Sequence, residues 1–159
     1  MTSAAAPRVC SVARTLEIVG EKWALLAVRE VFLGNRRFDE MVRRTGAPRD
    51  TLAARLRTLT GAGILDRRQY SEHPARFEYR LTKAGRDLYP VILTLMSWGD
   101  RHLAGADGPP QVLEHHGDHR LVPQVVCADC GESVEGRDVR PQPVPAPAAA
   151  AVPAPVAAS

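Results

Sequence analysis

The sequence predicts a mainly α-helical fold with one small β-hairpin, and three observations carry that expectation. Apolar residues recur at helical spacing from Val9 to Leu33 and again from Leu88 to Leu103. Between them, Phe38 to Thr60 holds two shorter helical patterns separated by the turn residues Gly46, Ala47 and Pro48. The run from Ile64 to Leu81 then reads as two extended limbs on either side of a turn-like segment. With 159 residues, of which 45% are hydrophobic, the chain has material for one domain of ordinary size plus an appendage.

In chain order, Val9, Val12, Ala13, Leu16 and Val19 form the stripe of a first amphipathic helix that Gly20 ends. Trp23 to Leu33 is apolar nearly all round, with Arg29 and Glu30 its only charges, as expected of a central helix packed on several sides. Gly34 and Asn35 end it. Phe38, Met41 and Val42 mark a short helix closed by Thr45 and Gly46. In the next helix, from Arg49 to Thr60, Leu52, Leu56 and Leu59 lie at i, i+4 and i+7 and make one buried stripe. Gly61 and Gly63 are the expected stop. An extended limb from Ile64 to Tyr70 leads to a turn at Ser71 to Ala75 and a half-buried strand in which Phe77, Tyr79 and Leu81 alternate with Glu78 and Arg80. Thr82 caps a last helix with apolar positions Leu88, Val91, Ile92, Leu95 and Trp98, and Pro90 is expected to kink or divide it. A short helix, a turn, a second helix and a hairpin, in that order, describe a winged helix-turn-helix.

The formal net charge of +3 hides an asymmetry. Residues 1–104 hold 18 Lys/Arg against 11 Asp/Glu, residues 105–159 hold 3 against 7, and residues 36–86 alone hold 13 against 6. The expected partner is anionic, with double-stranded DNA the first candidate. On the helix from Arg49, the residues Asp50, Ala54 and Arg57 point away from the leucine stripe, Thr51, Ala53 and Thr58 lie beside them, and Arg49 and Arg55 flank the face. Small residues between arginines let a helix approach a major groove closely while the guanidiniums reach base edges or phosphates. Arg67, Arg68 and Arg76 on the hairpin limbs, with His73 at its turn, are placed to follow phosphates beside that helix. Arg36 and Arg37, ahead of the short helix, complete the candidate DNA-binding set. The competing readings are a merely solvated helix face and a winged module that binds another protein, for which a basic helix face is not required. Leftover apolar faces on the first and last helices are candidate contacts for a homodimer.

No apolar run approaches the ~18–20 residues that span a bilayer. The N-terminal MTSAAAPRVC has neither the apolar core nor the cleavage pattern of a secretory signal. The expected location is the cytoplasm, with no membrane partner.

Several elements of the chain carry a family resemblance: Cys10 ahead of LEIVGEKWALL, Arg37-Phe38, TLAARLRTLTGAGILDRR, the wing PARFEYRLTKAG, and LYPVILTLMSWGDRH, all in order. Over residues 8–104 the chain resembles the HxlR family of bacterial transcription regulators, relatives of the MarR-like winged-helix group. The resemblance implies a homodimeric regulator without catalytic activity that binds palindromic promoter DNA, often as a repressor. It implies the helix from Arg49 to Thr60 and the wing tip as the contacts. Cys10 matches the cysteine with which some members sense quinones, aldehydes or oxidants, which implies an electrophile or other small-molecule effector. A thiolate near a helix N-terminus and basic side chains such as Arg8 or Arg14 gains reactivity; the alternative is a cysteine that packs as a small hydrophobe.

Past Leu103 the composition turns to AGADGPP, a linker signal, followed by VLEHHGDHRLVPQVVCADCGESV. Cys127 and Cys130, followed by Gly131, form a C-x-x-C-G knuckle, and His115, His116, Asp118 and His119 lie upstream. Two thiolates and two of these imidazoles would complete one structural zinc site, the only cofactor the sequence suggests. There is no second C-x-x-C, so a metal-free knuckle is the other reading. Three cysteines do not make a disulfide framework. A thiol-disulfide oxidoreductase using the C-x-x-C is the enzyme alternative, although the motif lies outside any βαβ pattern. From Arg140 the chain is almost wholly Pro, Ala and Val, which predicts a disordered tail. The expected organisation is an arm at 1–9, a winged-helix DNA-binding and dimerisation domain at 10–104, a linker and knuckle at 105–139 and a tail at 140–159.

Overall fold

The computed structural model describes residues 10–142, so the expected arm, Val9 and Arg8, and all but the start of the Pro/Ala-rich tail lie outside the described residues. The chain divides into two compact units, Met1–Pro123 and Gln124–Ser159, with residues 105–123 counted in the first.

In the first unit the order is α1 (Ser11–Val19), α2 (Lys22–Phe32), α3 (Phe38–Thr45), α4 (Arg49–Gly61), β1 (Leu65–Glu72), β2 (Ala75–Leu81), α5 (Lys83–Arg86), α6 (Tyr89–His102), β3 (Glu114–His115) and β4 (His119–Arg120). As its all-round apolarity predicts, α2 is the central element, packed against α1, α3, α4, β2 and α6. Ala24, Ala27 and Val28 are fully buried along it, and the small alanines let neighbouring helices come close. Met41 from α3, Leu52, Leu56 and Leu59 from α4, Leu65 from β1 and Ile92 from α6 complete the core. The predicted stripe of α4 is therefore the seam that joins the second helix of the motif to its support.

Two glycines decide how the motif turns. Gly46 takes φ +71° after α3, with its amide donating to the Val42 carbonyl, and so permits the tight turn into α4. Gly61 stays helical, contrary to its expected role as part of the stop. Gly63 (φ +71°) supplies the left-handed residue instead, and the Ile64 amide reaches back to the Leu59 carbonyl at 2.9 Å, a Schellman closure.

The hairpin is antiparallel, with Leu65 opposite Leu81 and Glu72 opposite Ala75. Both strands run closer to the tip than the sequence suggests, so the turn narrows to His73 and Pro74. The pairing slips between Gln69 and Ser71, which leaves Tyr70 out of register. The link between α2 and α3 also lies along β2: the Tyr79 amide donates to the Arg36 carbonyl at 2.8 Å and Arg37 bridges to Glu78. The wing is thereby tied to the entrance of α3.

Thr82 caps as expected, its Oγ1 accepting from the Gly85 amide at 3.1 Å and donating to the Gly63 carbonyl at 2.6 Å. Pro90 divides the last helix, so α5 is one turn and α6 begins at Tyr89 with the proline in its first turn, where no helical amide is lost. On α6 only Ile92 is buried; Val91, Leu95 and Trp98 are 46, 51 and 52% exposed. On α1, Val19 is buried while Val12 and Leu16 are 65 and 53% exposed. These are the leftover apolar faces that the sequence predicts.

In the second unit, Val126 bridges to Ser133, the Val134 amide donates to the Val125 carbonyl, and the Cys127 amide donates to the Glu132 carbonyl, all around a small loop. No helix among the described residues is long and apolar enough to cross a membrane.

Candidate DNA-binding interface

The burial of α4 defines its free side. With Leu52, Leu56 and Leu59 inaccessible, Asp50, Arg57 and Thr58 are exposed, and Thr51, Ala53 and Ala54 are half-buried between them. Arg57 makes no ion pair among the described residues, and it borders a shallow cleft with Ala53, Phe38, Arg67 and Tyr79. Its guanidinium is uncommitted. The two flanking arginines each face a carboxylate instead. Arg49 donates to Asp39 Oδ1 at 2.8 Å and lies 4.9 Å from the Phe38 ring centroid. Arg55 turns toward the junction of α1 and α2, with Nη2 3.9 Å from Glu21 Oε2, and its side chain is only 32% exposed.

The wing carries its charge on aromatic rings. Arg67 pairs with Tyr79 in the register, which puts Phe77 on its diagonal, and the guanidinium lies 3.5 Å from the Phe77 ring centroid. The irregularity at Tyr70 turns that ring beneath Arg37, at 4.7 Å. An arginine oriented by a ring keeps its full charge for a phosphate, whereas one tied to a carboxylate must first exchange partners. Arg68 is of the second kind, 2.7 Å from Asp66 Oδ2. His73 and Arg76 are exposed at the tip, and Arg36 is exposed at the foot of the wing. Neither arginine has an ion-pair partner among the described residues. Arg37, Arg43, Arg67 and Arg76 share one cleft with Tyr70, Phe77, Asp39 and Glu40, where Arg43 Nη2 lies 3.8 Å from Glu40 Oε1 and the arginines outnumber the carboxylates.

Sequence reasoning leaves out Arg43, Tyr70 and Phe77 as parts of this surface. The Arg43-Arg44 pair at the end of α3 was a visible signal for the first. Tyr70 interrupts the alternation of β1, but only the pairing shows where its ring goes.

Away from this face, Cys10 is the N-cap residue of α1, partly buried as a free thiol, with its carbonyl accepting from the Arg14 amide at 3.1 Å. The β3–β4 ribbon brings His115 and His119 within 3.4 Å, the His116 ring lies tilted against His115 at 3.9 Å between centroids, and His119 Nδ1 hydrogen-bonds Asp118. In the second unit, Cys127 and Cys130 sit on a turn closed by Gly131 at φ +75°, whose amide donates to the Cys127 carbonyl at 2.8 Å. Hydrogen bonds from the backbone at Cys130 and Asp129, then from the Cys130 thiol, hold the Cys127 thiol below its ordinary range. Among the described residues, no group of three or more His, Cys, Asp or Glu side chains is arranged to hold a metal ion.

Comparison with known proteins agrees with this architecture. The profile of the HxlR-like helix-turn-helix family matches residues 18–107. An uncharacterized HTH-type transcriptional regulator of Mycobacterium tuberculosis is 51% identical over 135 residues, covering 84% of this chain and 85% of the relative. That alignment is too long to end within the family profile, so it includes part of the chain beyond Asp107. The crystal structure of PA1607, described as a candidate transcription factor, superimposes with a TM-score of 0.75 at 33% identity and covers 84% of this chain and 94% of that one. The redox regulator HypR in its oxidized form gives a TM-score of 0.51 at 34% identity, covering 58% of this chain and 96% of that one. With over half of its length matched by the profile and a winged helix-turn-helix at its centre, the chain belongs to the HxlR-like helix-turn-helix family of DNA-binding transcription regulators and is not an enzyme.

Proposed function

We propose that the protein acts in the cytoplasm as a homodimeric repressor on a palindromic promoter site. The observation that carries this reading is the free face of α4, where exposed Arg57, Asp50 and Thr58 surround half-buried alanines while the leucine stripe is fully enclosed. The basic surface captures the duplex electrostatically, α4 reads the major groove, and the wing follows the adjacent backbone. The exposed apolar residues of α1 and α6 support self-association, since one chain leaves them without cover. A twofold dimer presents its two α4 helices to half-sites about one helical turn apart, roughly 34 Å. Footprinting on bound genomic fragments tests the reading: two symmetric protected half-sites are expected, and protection of one unpaired half-site by a monomer contradicts it.

Two features support a responsive regulator. Cys10 stands at the N-terminus of α1, and the similar HypR is a redox regulator, so modification of Cys10 is the proposed electrophile or redox signal. Unchanged operator affinity after diamide treatment, with Cys10 shown to be accessible to a thiol label, removes this role. The Cys127 and Cys130 knuckle supports the zinc proposal, because backbone donors already stabilise a thiolate there. Metal analysis after chelator-free purification decides it, and less than about 0.3 zinc per chain contradicts it.

A further inference from the structure

On the side of α6 away from Val91, Leu95 and Trp98, the helix borders a cleft whose opposite wall is the segment 111–123. The cleft has a volume of about 280 Å³. This is just below the usual range for ligand sites, roughly 300–1,000 Å³, and suits one ring or a short chain. The outer wall is built rather than loosely draped: the Leu121 amide donates to the Leu113 carbonyl at 2.7 Å, extending the β3–β4 ribbon beyond its two paired residues. Leu93 and Met96 from α6 face Leu113 and Leu121 from this wall, all partly buried.

The charged groups of the cleft form no ion pair with one another among the described residues. Arg101 and Arg120 both line it, both are exposed, and neither has a carboxylate partner among the described residues. Arg101 Nη1 donates only to Ser97 Oγ, at 3.2 Å. Asp100 is the one acidic side chain in the lining, so the cleft carries one net positive charge. An apolar trough with two guanidiniums free of carboxylate partners and one carboxylate is complementary to a single anionic head on an apolar body, and the carboxylate disfavours a second negative charge.

We propose that this cleft is an effector site for a small amphipathic monocarboxylate, with its apolar body against Leu93, Met96 and Leu121 and its carboxylate on Arg101 and Arg120. The site lies on the opposite side of α6 from the face assigned to the homodimer. At its start α6 is also locked to the central helix, with Tyr89 stacked on Phe32 at 4.5 Å between centroids. A ligand that adds contacts to one side of α6 shifts how its other side packs, and with it the separation of the two α4 helices. The regulatory consequence rests on the homodimeric DNA-binding reading; the binding itself does not.

The test uses the full chain and two paired probe sets, phenylacetate with phenylacetamide and hexanoate with hexanol. Calorimetric titration of the wild type and of an Arg101→Gln/Arg120→Gln variant measures binding. Operator titrations with and without the acids measure the consequence. A carboxylate is expected to bind at least about tenfold tighter than its neutral partner, and the double variant to lose that preference. Operator affinity is expected to change by about fivefold or more at saturating acid, a typical allosteric coupling. Absence of carboxylate binding, equal binding of the neutral probes, or a double variant that binds as the wild type overturns the site. Charge-selective binding that leaves operator affinity unchanged overturns the effector role. Failure of the ligand-free protein to bind any operator is read in the same titration and counts against the proposed function instead. Circular dichroism and melting of the variant confirm that these exposed substitutions leave the fold intact.

Discussion

α4 and α6 are amphipathic helices of similar length, 13 and 14 residues, but the chain completes only one of them. Leu52, Leu56 and Leu59 are wholly enclosed by α2 and its neighbours, whereas α6 buries Ile92 and leaves Val91, Leu95 and Trp98 about half exposed. The difference separates two kinds of surface. Where the apolar stripe is satisfied within the chain, the polar face is free to meet a charged partner. Where it is not, the apolar face is itself the surface to be covered. DNA recognition and self-association are thus assigned to different helices by the same accounting of burial.

The sharpest test of that contrast is Leu56→Ala, which opens a cavity in the enclosed seam and is expected to cost about 2–5 kcal/mol in urea unfolding. Trp98→Ala should act differently. It is expected to weaken self-association by about 2 kcal/mol or more in sedimentation experiments, as loss of a central aromatic anchor does, while the isolated chain keeps its fold. If Trp98→Ala lowered unfolding stability as much as Leu56→Ala at every protein concentration, the two helices would not differ in kind. Arg57→Ala probes the free face of α4 and should weaken specific operator binding by about 1–3 kcal/mol, with little effect on random DNA in a competition assay. The smallest effect is expected from Arg76→Ala at the wing: a uniform weakening, with the slope of log affinity against log salt reduced by about one.

Much of the fold was legible because helices and hairpins write short periods into the chain. The leucine phase of α4, the alternation of β2, the cap at Thr82 and the break at Pro90 all depend on residues within a few positions of one another. The same reasoning found Arg57 on the outward face. It could not tell that Arg55 is drawn toward Glu21, thirty-four positions earlier, or that Arg49 is held by Asp39. Nor could it show Tyr70 and Phe77 as the rings that orient Arg37 and Arg67, since the first depends on the slip after Gln69 and the second on which residues of the two strands stand opposite one another. The helix end at Gly63 rather than Gly61 has a similar origin: only one of the two glycines takes a left-handed conformation.

By itself, then, the sequence determined the order and type of the elements, the enclosed stripe of α4, and the basic character of the motif, because these are properties of local pattern and composition. The tertiary structure decided which arginines are free, which are paired and which are stacked, because an ion pair or a ring contact forms between segments that packing brings together. It also decided that the apolar residues of α1 and α6 stay uncovered. Their hydrophobicity is visible in the chain, but exposure depends on how much surface α2 has left once α3, α4 and the wing are in place.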